Sequence, residues 1–175
     1  MPALQLFQSQ DTYVQAATDF IAAHVLEYTQ QGEQASVFLS GGSTPGPIYE
    51  RLSSYDLPWQ FVHLGLVDER WVKESNPGSN AALIRKTLLK NAAKQAKFFP
   101  MKSNHRTARD GQKTIDAIYT PLLKSQSLAV LGMGLDGHTA SWFTGAQALP
   151  QALSLSTTQA VQAITAHPTK VTGDY

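Results

Sequence analysis

The residues best suited to chemistry lie in three short stretches rich in glycine or charge. The densest is Leu131-Gly132-Met133-Gly134-Leu135-Asp136-Gly137-His138-Thr139-Ala140-Ser141. It places a single histidine, His138, two residues after Asp136 and among glycines such as Gly134. An exposed imidazole titrates near neutral pH and can act as a general base. Glycines let the backbone approach a ligand closely. The second stretch is Val67-Asp68-Glu69-Arg70-Trp71. Arg70 is permanently charged and fork-shaped, which suits a phosphate or an oxyanion. Asp68 can orient a histidine or bind a sugar hydroxyl. The third is Ser40-Gly41-Gly42-Ser43-Thr44-Pro45-Gly46. If it opens a helix, Ser43 or Thr44 can cap that helix, with Pro45 in the first turn. The backbone N–H groups of such a loop, with the helix dipole, favour an anion such as phosphate.

Each stretch also has a plainer reading. The first loop is equally an ordinary capped strand-to-helix turn, and no Gly-Lys-Ser/Thr follows to make it a P-loop. Asp68-Glu69-Arg70 is equally a local salt-bridge cluster. Gly132 to Gly137 spells G-x-G-x-x-G, the dinucleotide fingerprint, but that motif requires an acidic residue about 20 positions on. No Asp or Glu occurs between Asp136 and Asp174. His24, His63, His105 and His167 show no metal-ligand spacing. His24 falls on an apolar helix face and reads as a core histidine. Ser141 lacks a G-x-S-x-G elbow, which argues against a serine nucleophile.

The elements that must position these loops alternate. Leu4 to Phe7 reads as a short strand. A helix capped by Asp11 or Thr12 follows, with Val14, Ala17, Ile21, Val25 and Tyr28 at helical spacing. Ala35 to Leu39 is a strand and Pro47 to Leu52 starts a helix. Phe61 to Val67 is the next strand, and Asn80 to Leu89 has a helical pattern. Thr107 or Asp110 opens a helix running to about Leu122. Ser127 to Leu131 is a strand. Leu153 to Ser156 and Ala160 to Ile164 read as two further strands joined by a tight turn. This order predicts an α/β fold: three layers, a mainly parallel sheet with helices on both faces, Rossmann-like. Ligands in such sheets bind beyond the carboxyl ends of the strands, so the three loops should gather on one side.

Composition narrows the class. At 42% apolar and 15% charged residues, the 175-residue chain is globular, and its length suits one domain. No apolar run approaches the roughly 18 residues of a membrane span. The N-terminus lacks a signal-peptide pattern, so the reading is cytoplasmic, with no membrane partner. Zero cysteines exclude disulfides and thiolate chemistry. A net charge of +1 argues against a nucleic-acid partner. Charge is nonetheless uneven: eight basic residues from Arg85 to Arg109 have no acidic residue among them. They read first as a solvated surface, and second as a field that attracts anionic substrates.

Taken together, Ser40 to Pro45, Asp68 to Val72 with Ser79-Asn80, and Leu131 to Ser141 resemble the glucosamine-6-phosphate isomerase/6-phosphogluconolactonase family in order and spacing. The third segment is the most specific, and the resemblance spans essentially the whole chain. The isomerase branch carries a Gly-His-Ile-Ala-Phe-Asn-Glu-Pro type of sequence, whose glutamate assists ring opening. Here the run is Gly137-His138-Thr139-Ala140-Ser141-Trp142-Phe143-Thr144-Gly145, without that glutamate. The resemblance therefore implies the lactonase branch and hydrolysis of 6-phospho-D-glucono-1,5-lactone. The alternatives are glucosamine-6-phosphate isomerase/deaminase activity, or a non-catalytic sugar-phosphate-binding domain.

It implies His138 as the base that activates water, and Asp136 or Asp68 as the group that orients imidazole or substrate. Arg70 stabilises the oxyanion or shares the phosphate. Gly41, Gly42, Ser43 and Thr44 hold the phosphate, with Gly134 also against substrate. No metal or organic cofactor is implied, and the partner is a small sugar phosphate; monomer or homo-oligomer stays open. Trp142 and Thr144 stand where the family commonly has Leu and Pro. Family members also usually continue past a point like Thr172-Gly173-Asp174-Tyr175, so residues 1–175 are expected to form a single sugar-phosphate hydrolase domain incomplete at its C-terminus.

Overall fold

Two mostly apolar runs make the centre of the molecule. In the computed structural model, which describes residues 3–124 and 126–166, these are β1 (Ala35–Leu39) and β2 (Val62–Leu66). Every residue of β1 is buried. A strand covered on both faces belongs in a parallel sheet with helices on each side. The two strands pair in parallel from Ala35 opposite Val62 to Leu39 opposite Leu66. Two short strands extend the sheet, β3 (Lys97–Phe98) beside β2 and β4 (Leu128–Ala129) beside β1, both parallel. The order is β3-β2-β1-β4.

Side chains alternate across a sheet, and the core divides accordingly. Val37 and Leu39 of β1, with Val62, Leu64 and Leu66 of β2, face one way. They pack with α1 (Gln10–Gln30), α2 (Gly46–Leu52) and α3 (Asn80–Thr87). Phe38 faces the other way, onto Ile115 and Tyr119 of α4 (Ala108–Tyr119) and Leu122 beyond it. Helices therefore cover both faces of a parallel sheet, as the alternation of elements predicts.

Several local expectations need correction. Leu4 to Phe7 is not a strand: it pairs with no strand among the described residues, and Leu4 and Leu6 are exposed. The cap of α1 is Ser9, whose Oγ accepts from Thr12 N–H at 3.2 Å. Asp11 lies in the first turn instead and pairs with Arg51 at 2.6 Å. Neither Ser43 nor Thr44 caps α2; the cap position is Pro45, with no side-chain hydrogen bond. Residues 153–156 and 160–164 form no strands. A four-residue helix, α5 (Leu149–Ala152), precedes them, and one antiparallel bridge joins Gln147 to Thr165. The backbone of residues 160–163 is held by side chains of α4. Asp116 accepts from the N–H groups of Ala160 and Val161 at 2.6 and 3.1 Å, and Gln112 accepts from Ala163 at 2.9 Å. His24 is half-buried on α1, where burial lowers its pKa. His167 and Thr172 to Tyr175 lie outside the described residues.

Within the basic stretch, Arg85 pairs with Glu74 at 2.6 Å and Lys90 with Glu50 at 2.5 Å. Lys97 and Lys102 sit over the rings of Phe99 and Trp71. These four charges are engaged locally, in keeping with a solvated surface.

Candidate active site

Because β1, β2 and β4 run parallel, the loops that leave their carboxyl ends emerge on the same side. The loop after β1 is tied down by Tyr49 of α2. Its hydroxyl donates to Ser40 O at 2.9 Å, and burial pushes its pKa up to about 12, so it stays a neutral donor. Beyond Ser40, Gly42, Ser43 and Thr44 are exposed.

The loop after β2 is the most heavily bonded. The Glu69 carboxylate caps the N-terminus of α3: Oε1 accepts from Asn80 N–H at 2.8 Å and Oε2 from Ala81 N–H at 2.9 Å. These are donors that a helix start leaves without intrahelical partners, and a carboxylate there also meets the positive end of the dipole. Ser79 is the N-cap, accepting from Ala82 N–H and donating to Glu69 Oε2, both at 3.2 Å. Arg70 donates through Nη1 to Gly78 O at 2.6 Å. Asp68 accepts from Asn80 Nδ2 at its backbone oxygen (2.9 Å) and at Oδ1 (3.1 Å). Its Oδ2 accepts from Ser141 Oγ at 2.7 Å. Asp68-Glu69-Arg70 is thus no self-contained salt-bridge cluster. Its acids bond to α3 and to the third loop.

The loop after β4 carries the histidine. His138 Nδ1 lies 2.5 Å from Asp136 Oδ1. The hydrogen bond from His138 holds the Asp136 carboxyl below its ordinary range. An anionic carboxylate only accepts, so the proton of a neutral His138 ring sits on Nδ1 and the lone pair on Nε2. The ring also packs on Phe143, with centroids 4.6 Å apart. Gly134 is required for this arrangement. A Cβ there would lie 2.3 Å from His138 Nδ1 and 2.7 Å from Asp136 Oδ1. Ala140 takes a left-handed φ of 47°, uncommon without glycine, in the turn between His138 and Ser141.

Asp68, Glu69, Arg70, His138 and Ser141 line one cleft of about 470 Å³, with Trp71, Trp142 and Phe143 among its apolar walls. A cleft of that size, mostly apolar with a few convergent polar groups, suits a small ligand. Asp136 and Gly134 stand behind His138. Gly41 meets the group indirectly, through Asn80. Gly42, Ser43 and Thr44 do not line this cleft. The sequence reading missed Glu69, Asn80 and Ser141. The serine before an apolar helical pattern was the available signal for a capped α3, but nothing in the sequence says that Glu69 and Asp68 meet that helix. Among the described residues no group of three or more His, Cys, Asp or Glu could hold a metal ion. No helix among them is long and apolar enough to cross a membrane.

A family model described as glucosamine-6-phosphate isomerases/6-phosphogluconolactonase matches residues 8–173. Over 132 residues the chain is 45% identical to the 6-phosphogluconolactonase of Xylella fastidiosa (strain 9a5c), a match covering 73% of this chain and 52% of that protein. Over 158 residues it is 35% identical to the 6-phosphogluconolactonase of Rhizobium meliloti (strain 1021), covering 90% of this chain and 68% of that one. The crystal structure of a 6-phosphogluconolactonase from Shewanella baltica OS155 superposes with a TM-score of 0.82 at 35% identity, covering 90% of this chain and 65% of that chain. The chain thus spans about half the length of the first relative and about two thirds of the other two.

Proposed function

The chain belongs to the glucosamine-6-phosphate isomerase/6-phosphogluconolactonase family, and from that premise we propose that it hydrolyses 6-phospho-D-glucono-1,5-lactone to 6-phospho-D-gluconate. The observation that carries the reading is the His138–Asp136 pair at 2.5 Å, in a histidine that shares its cleft with Asp68 and Arg70.

In this reading, water attacks the C1 carbonyl and His138 Nε2 takes its proton. Asp136 holds the ring in the required tautomer and stabilises the imidazolium that forms. Charge builds on the carbonyl oxygen, and the Arg70 cation of the same cleft stabilises it. The C1–O5 bond then breaks, and the proton on His138 passes to the departing ring oxygen. The product is an open-chain acid with a new hydroxyl at C5. General-base assistance contributes about 10²–10⁴-fold, and oxyanion stabilisation about 10²–10³-fold. The step moves protons and breaks one C–O bond, so it requires neither a redox cofactor nor a second substrate besides water. Asp68 faces a substrate hydroxyl. The loop Gly41 to Thr44 does not line the cleft but is joined to Asp68 through Asn80, and it supplies the phosphate contacts at the cleft's border. The reaction belongs to the oxidative pentose phosphate pathway, in the cytoplasm; the support is the metabolic naming of the relatives.

The test is substrate choice. Purified chain should accelerate the loss of fresh lactone above its spontaneous rate, with 6-phosphogluconate appearing in step through a coupled dehydrogenase. It should release no ammonia from glucosamine-6-phosphate. Ammonia release without lactone hydrolysis would assign it to the other branch. Binding of 6-phosphogluconate without turnover of either compound would make it a binding domain.

A further inference from the structure

We infer that Asn80 is a positioning residue for Asp68 and the physical link between the loop after β1 and the loop that carries His138. The kinetic consequence rests on the lactonase reading; the contacts do not.

Asn80 is the first residue of α3 and only 3% exposed. A side-chain amide buried that deeply must find partners. Both hydrogen bonds from Nδ2 go to Asp68, one to its backbone oxygen and one to Oδ1. Ser141 holds the other carboxylate oxygen. The carboxylate is therefore clamped from two sides, by a helix start and by the loop three residues beyond His138. Asn80 is itself held from two sides. Glu69 accepts from its backbone N–H at 2.8 Å, which fixes its place at the helix start. Its Oδ1 lies against Gly41 so closely that a Cβ at 41 would stand 1.8 Å away. Any side chain at 41 displaces Asn80, and a displaced Asn80 releases Asp68. Gly41 thus has a role besides phosphate contact, because it leaves room for the amide that sets the cleft acid.

The test is a double-mutant cycle on kinetics. Asn80→Ala should fold, because Glu69 still caps α3, and should lower kcat/KM about 10- to 100-fold, the scale of a lost hydrogen bond to a charged group. Asn80→Asp keeps the volume and the helix start but turns the donor into an anion facing Asp68; it should lose at least as much. Since Asn80 acts through Asp68, the Asn80→Ala/Asp68→Asn pair should be no worse than Asp68→Asn alone. Gly41→Ala should also be harmful alone but nearly neutral on top of Asn80→Ala, where the clash has gone. A merely structural Asn80 would instead give losses that multiply, or a melting change with kcat and KM intact; either result overturns the inference. If the parent chain hydrolyses no lactone, the functional reading fails separately. The melting cycle of Asn80→Ala with Asp68→Asn then decides: non-additive shifts uphold the coupling and additive shifts refute it.

Discussion

Two regions of this molecule are built differently. From Ala35 to Leu66, five-residue strands pair in full register, and Trp59, Leu64 and Leu66 are each about 1% exposed. From Leu128 to Ala166 the only named strand has two residues, and Leu131, Met133, Leu135, Leu153 and Leu155 are all more than half exposed. The first region stands on hydrophobic burial. The second stands on specific hydrogen bonds accepted by side-chain carboxylates: Asp136 from His138, Asp68 from Ser141, Asp116 from Ala160 and Val161. The candidate site lies at their border, with Asp68 and Arg70 rooted in the packed part and His138 in the bonded part. The lesson is that core substitutions should act on stability, whereas substitutions in the second region should act on geometry.

The sharpest way to break that contrast is Leu64→Ala in β2. It should cost about 2–5 kcal/mol by chemical denaturation, the range for large-to-small changes in a packed core. Next, Asp136→Ala should leave the melting temperature nearly unchanged yet lower kcat by roughly 10- to 100-fold, less than loss of the base itself, whose ceiling is about 10⁴. A large melting shift with kcat intact would place Asp136 in the structure and not in the chemistry. Ser79→Ala removes the N-cap of α3 and should cost about 1 kcal/mol. The pH dependence of stability comes next. Burial, helped by the positive charges of Lys97 and Lys124, lowers the pKa of His63 below 6.5. Its folded form resists a proton that the unfolded chain accepts, so stability is full above about pH 6.5 and falls as pH drops below it. His63→Phe should weaken the fall of melting temperature between about pH 7 and 5, leaving the part that half-buried His24 contributes. Smallest is Leu135→Ser in the exposed loop, which should change stability by less than about 0.5 kcal/mol.

How much of this was legible in the sequence follows the same division. Ala35 to Leu39 and the run ending at Val67 announce themselves, because a strand buried on both faces is mostly apolar, with Ser36 and His63 the exceptions here. The parallel sheet and the clustering of three loops at its carboxyl edge follow from the alternation of elements. Leu4 to Phe7 and Ala160 to Ile164 look equally strand-like but form none. Apolar pattern states what can be buried, while pairing needs a free neighbouring edge, which is a tertiary fact. The His138–Asp136 pair was legible because two residues of separation brings the side chains together locally. Asn80 and Asp68, and Glu69 and α3, lie 11 to 12 positions apart in sequence, across a loop. No local signal sets where that loop returns.

The role proposed for His138 is that of the base in a lactone hydrolase. It is tested most directly by the initial rate of 6-phosphogluconate formation from fresh 6-phosphogluconolactone, measured for the parent chain and for His138→Ala at equal concentration. The parent should run clearly above spontaneous hydrolysis, and the variant should lose about 10²–10⁴-fold in kcat with KM nearly unchanged. A folded His138→Ala protein that keeps most of the parent's rate would contradict it.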